Sequence, residues 1–151
     1  MALNGTFTIF AFIGDFDENT MTYYNAPTLA GIAHFFIASP DDCENCTALG
    51  QAGAQVSHST TVTSTLADYV ALGELGSLEP DDVVPFLVKN LKWRVVKMGE
   101  EDRTVPTDAI SGFEIHVNMS VLYTTPGSYV PVLVENIDYD DQVVRRIENG
   151  S

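Results

Sequence analysis

Basic residues are scarce in this chain. Seven lysines and arginines stand against 21 aspartates and glutamates, a formal net charge of −14. A surface of that sign excludes nucleic acid and anionic membranes as partners, because phosphate contacts need Lys and Arg. Long apolar runs are missing as well: no segment approaches the ~20 consecutive apolar residues of a membrane span, although 45% of the residues are hydrophobic. Cysteine occurs twice and histidine three times. Two cysteines cannot build a four-thiolate zinc site, and His34, His58 and His116 share no ligand spacing. A Ser/His/Asp nucleophile motif, a glycine-rich phosphate loop and a dinucleotide fingerprint are all absent. No basic leader with an apolar stretch opens the chain, which predicts an intracellular protein and discounts the sequons at Asn4, Asn45, Asn118 and Asn149.

At 151 residues the chain is long enough for one domain that buries roughly 70% of its unfolded surface, so it needs no covalent staples. Aromatic and β-branched residues dominate Thr6 to Ile13, a predicted strand stopped by Gly14 and Asp15. A second strand is predicted over 32–38, where alternation sets Ile32, His34 and Phe36 on one face. The Val- and Thr-rich stretch 55–63 reads as a third. Ser64 suits the cap of a helix over 65–72. A second helix is expected from Pro80, with Asp81 and Asp82 at its positive end and Val83, Val84, Leu87, Val88 and Leu91 as its apolar stripe, despite Pro85. Strands are expected again at 93–98, 113–123 and 130–134. Strands at both ends with a helical pair between them predict a mainly β domain over 1–134, an antiparallel β-sandwich or barrel with two short helices inserted. The acidic segment 135–151 is expected to form a mobile tail.

The sharpest chemical feature is Cys43-Glu44-Asn45-Cys46, which holds both cysteines of the chain. Two such sulfurs can share a soft metal ion such as Cu(I), close a short disulfide, or remain idle thiols. A thioredoxin-like role is disfavoured, since that fold opens a long helix at the motif whereas Gly50 and Gly53 interrupt the residues that follow. Asp15-Phe16-Asp17-Glu18-Asn19 begins like an EF-hand loop, but Thr20 and Ala26 occupy its sixth and twelfth positions, so it reads as a polar turn. Tyr23-Tyr24 is the one aromatic pair suited to a sugar platform, the feature behind an alternative reading as a free-standing binding module for carbohydrate or protein.

Several segments, in order, are similar to the C-terminal domain of fungal tyrosinases. They are Phe7-Thr8-Ile9 with Phe12 to Phe16, Gly31 to Phe36, Cys43 to Cys46, Gly73-Glu74-Leu75, Ser77 to Leu87, Leu91 to Val95 and Phe113 to Val117. The resemblance runs from about Leu3 to Val121. It implies a β-rich, non-catalytic cap that docks over the dicopper site of the oxidase in the same precursor, inserts an aromatic side chain where a phenol would bind, and is removed by proteolysis. It also implies that Cys43 and Cys46 receive Cu(I) transiently and pass it on, with no cofactor permanently bound. The blocking residue is expected to be Phe36, which lies in a Gly-x-x-His-x-Phe pattern, with Phe35 as the alternative. A coupled dicopper centre in that family takes six histidines, so catalysis is expected in a partner domain. Met1 ahead of Ala2-Leu3-Asn4 reads as an added start at a domain boundary.

Overall fold

The structure, a computed structural model, describes residues 5–37, 56–99, 103–110 and 112–148. β1 (Gly5–Ile13) pairs antiparallel with β2 (Leu29–Ile37) on one side and with β3 (Leu91–Lys97) on the other. A short β4 (Arg103–Val105) extends the sheet beyond β3 to give the order β2-β1-β3-β4. The sheet is open, with β2 and β4 at its edges. The chain is thus mainly β and antiparallel, with two helices inserted between β2 and β3, as the sequence predicts.

β1 is apolar on both faces because both are covered. Phe7 joins Val95, Val105 and Ile110 on one side, while Phe10 and Phe12 pack with Tyr23 and Val96 on the other. Tyr23 belongs to a 3-10 turn, Thr20–Asn25, capped by the Asn19 side chain and folded against the sheet. Fully burying Phe10 and Phe12 contributes about 1.5–3 kcal/mol each. Two ion pairs hold the loop after β1 to β3: Lys92 with Asp15 at 2.6 Å, and Arg94 with Glu18. The hydrogen bond from Arg94 is the main reason the Glu18 carboxyl is held below its ordinary range, and the same guanidinium lies 5.0 Å from the Phe16 ring.

Helix α1 (Thr63–Ala71) and helix α2 (Pro80–Asn90) pack with the end of β1 in a cluster of Ile13, Leu66, Leu75, Leu87, Leu91 and Val143. α2 starts as predicted, with Pro80 in the first turn and Asp81 and Asp82 after it. Its Pro85 lies near enough the N-terminus to remove few intrahelical bonds. α1 begins at Thr63, so Ser64 lies inside it, and Val62 at the cap position makes no side-chain capping bond.

Four expectations are corrected. The strand over 55–63 is absent from its described residues: 56–62 form no ladder, and helix α1 takes Thr63. That segment instead crosses β2 where Gly31 stands, and a Cβ on Gly31 would lie 2.6 Å from Thr60 Cγ2. β-Propensity there is overridden because the segment lies over a face of β2, with Thr60 at Gly31 and His58 on the Phe35 ring, and does not align beside a strand edge. The strand over 113–123 shortens to β5 (Asn118–Tyr123). Ahead of it, the Val117 N–H donates to Asp140 Oδ1 at 2.6 Å and its carbonyl accepts from Tyr139, while Phe113 packs beside the Phe7 cluster. The strand over 130–134 becomes β6 (Val132–Asp138), which pairs with β5 as a separate two-stranded ribbon. The boundary at 135, drawn where acidic residues gather, therefore cuts through β6. Beyond it Val143 is fully buried, and α3 (Val144–Glu148) contacts α2.

Candidate functional site

Phe35 and Phe36, the candidate blocking residues, lie with His34 on the outer strand of the sheet. β2 pairs with β1 so that Ile32 faces Phe10, His34 faces Thr8, Phe35 faces Phe7 and Phe36 faces Thr6. Alternation therefore sends Phe35 and Phe36 to opposite faces. Phe35 is half-buried: its ring stacks on Phe7 at 5.0 Å with 9° between planes, and the His58 ring meets it edge-on at 6.1 Å.

On the other face the cover ends before the strand does. Ile32 packs beside the Phe10–Phe12–Tyr23 cluster. His34 Nδ1 lies 3.0 Å from Thr8 Oγ1, and the Tyr24 ring stacks on the imidazole at 6.4 Å while meeting Phe10 edge-on at 5.0 Å. The 3-10 turn that carries Tyr23 and Tyr24 thus reaches along the face as far as His34, which itself stays exposed. One pair further along, Phe36 lies opposite the small, exposed Thr6 and is 76% exposed. An aromatic side chain is thereby presented from a strand whose neighbouring positions are pinned by packing and hydrogen bonding.

The sequence does not reveal Tyr24 as a neighbour of His34, because that contact depends on the 3-10 turn folding back across β2. Tyr23 is fully buried, with its hydroxyl 3.3 Å from Glu18 Oε2, and burial raises its pKa above the ordinary value. Tyr23 and Tyr24 therefore cannot form one exposed stacking platform. Cys43 and Cys46 lie outside the described residues.

Among the described residues the three histidines lie apart. His34 and His58 flank opposite faces of β2, and His116 lies between Asp140 and Glu114, with Nδ1 2.6 Å from Asp140 Oδ2 and Nε2 3.4 Å from Glu114 Oε2. The hydrogen bond to Asp140 is the first reason that the His116 pKa is raised. No three His, Cys, Asp or Glu side chains converge as a metal site among the described residues. A shallow cleft of about 310 Å³ is lined by residues that include Trp93, Arg94, Thr104 and Asp108. No helix among the described residues is long and apolar enough to cross a membrane.

These features define a small antiparallel β domain that carries Phe36 among its exposed aromatic rings. The chain belongs to the tyrosinase C-terminal domain family, whose model matches residues 1–117. It is similar to the Neurospora crassa protein named tyrosinase, with 33% identity over 94 residues, covering 62% of this chain and 14% of that relative. The match therefore concerns a small part of the relative's length. No solved structure matches the chain.

Proposed function

We propose that this chain is the regulatory cap of a tyrosinase catalytic domain. In this reading Phe36 enters the cavity above the partner's dicopper site and occupies the place of a phenol, so the oxidase stays latent until proteolysis removes the cap. The observation that carries it is the exposed Phe36 ring beside Phe35, which is stacked on Phe7, and His34, which is hydrogen-bonded to Thr8. A plug needs a ring that is free to enter another molecule and a mount that does not move. The antiparallel pairing of β2 with β1 supplies the mount. Membership of the C-terminal domain family, and a matched relative named tyrosinase, support the choice of partner.

Cys43 and Cys46 follow β2 in sequence, and in a reducing intracellular compartment the pair would accept Cu(I) as cargo for the partner, since soft thiolates prefer that ion. Two measurements test the proposal. Adding the chain to an activated fungal tyrosinase catalytic core should suppress phenol oxidation, and the Phe36→Ala chain should suppress it less. Undiminished oxidation at saturating chain would refute the cap. In chelator competition the native chain should hold Cu(I) more tightly than a Cys43→Ser/Cys46→Ser variant, and equal affinity would remove the copper-delivery role.

A further inference from the structure

The β5–β6 ribbon lies outside the region matched by the family model and has a surface unlike the rest of the chain. From Val117 to Val134 no Asp, Glu, Lys or Arg occurs, in a protein of net charge −14. Leu122, Tyr123, Val130, Val132, Leu133 and Val134 are all exposed there, and Tyr129 at the tip is 100% exposed. The ribbon is two strands wide, so each strand keeps one unpaired edge. Its base is clamped by the bonds of Val117 with Asp140 and Tyr139, whereas its tip packs against nothing that covers these side chains. An isolated two-stranded hairpin is marginal in water, and an open apolar edge is a template for further pairing.

We propose that the ribbon pairs with the same ribbon of a second copy of this chain, edge to edge along β5, to form a two-fold symmetric dimer. Three considerations select that occupant. β5 contains no charged residue, so two copies meet along it without like charges opposed. Pairing along β6 would instead bring Glu135 of one copy towards Glu135 of the other. The reach of the arm then deals with the charge of the bodies. Six residues of β5 extend about 20 Å, and antiparallel pairing puts the two acidic bodies at opposite ends of the joint. That separation exceeds the Debye length of about 8 Å at physiological salt, so their mutual repulsion is screened. Finally, pairing along β5 would cover Leu122 and Tyr123, which are 58% and 55% exposed in the single chain. Two-fold pairing through one shared patch is the commonest way for identical chains to associate.

Salt dependence separates this partner from others. Sedimentation equilibrium of the intact chain should show a monomer–dimer equilibrium that tightens at least several-fold between about 20 mM and 300 mM NaCl, because screening relieves repulsion between like-charged bodies. Leu122→Lys, at an exposed β5 position, should shift the chain to monomer with an unchanged thermal midpoint of the body. Ser120→Pro, which places a residue without an N–H in β5, provides a second variant with the same expected loss of dimer. A chain that stays monomeric at every concentration and salt overturns the proposal. So does a dimer untouched by both variants, or one that weakens as salt rises. Arm-dependent binding to a tyrosinase core by an otherwise monomeric chain would also overturn it, assigning the ribbon to the catalytic partner instead.

Discussion

Shortening Phe36 to alanine should barely change the stability of the fold, whereas the same change at Phe35 should lower it measurably. With Phe36 76% exposed, only about a quarter of the ring's burial is lost, roughly 0.5 kcal/mol when a fully buried apolar side chain contributes ~1.5–3 kcal/mol. Phe35 is half-buried and stacked on Phe7, so about 2 kcal/mol is at stake where a core Phe→Ala costs ~3–5 kcal/mol. A domain of this length shifts its midpoint by about 2–4 °C per kcal/mol. Phe36→Ala should therefore lower the midpoint by about 1–2 °C and Phe35→Ala by about 4–8 °C, read by circular dichroism melting of the two variants beside the native chain. In the proenzyme, Phe36→Ala should raise phenol oxidation before proteolysis while the cap remains folded. A midpoint loss of about 6 °C or more for Phe36→Ala would refute the reasoning, because the ring would then belong to the core. A normal midpoint with undiminished latency would refute the plug.

Gly14→Ala should cost about 1–3 kcal/mol in urea unfolding, since the residue holds φ +115° and its new Cβ would lie 2.9 Å from Thr28 Cγ2 and 3.0 Å from Tyr69 Oη. An unchanged midpoint would contradict that placement. His116, raised above its ordinary 6.5 chiefly by the Asp140 hydrogen bond, should stabilise the fold fully below that value and lose the contribution as pH rises through its higher folded pKa. His116→Gln should therefore flatten the decline of the melting midpoint on the alkaline side, and an unaltered profile would rule the latch out. Val143→Ala should lower stability by about 1–2 kcal/mol through lost burial and a small cavity, and a chain stopped after Val134 should lose considerably more; equal stability of the truncated chain would return 135–151 to the status of a dispensable tail.

Local signals were legible where the residues themselves impose a conformation. Pro80 with Asp81 and Asp82 announced α2, and the Phe- and Ile-rich run announced β1 with Gly14 as its stop. The misread segments are those whose backbone partners come from far along the chain. Val and Thr over 56–62 suggest a strand, yet a strand exists only if its backbone lies beside an edge, and here the segment lies over a face of β2 at Gly31. Residues 113–117 carry the composition of a strand, but Val117 bonds Asp140 and Tyr139 instead of continuing a ladder. Acidity marked 135–151 as a tail because a net-charge pattern cannot show that Val143 reaches the helical cluster.

For the candidate site the division is sharper. Alternation along β2 was enough to place Ile32, His34 and Phe36 on one face and Phe35 on the other, since a pleated strand allows no other arrangement. Which of the two rings is uncovered depended on how far a 3-10 turn, folded back from Thr20–Asn25, extends across that face, and it stops at His34. The exposure of the β5–β6 ribbon is likewise a tertiary outcome: its apolar residues predict strands, and only the structure shows them pairing with each other as a separate ribbon whose side chains stay exposed.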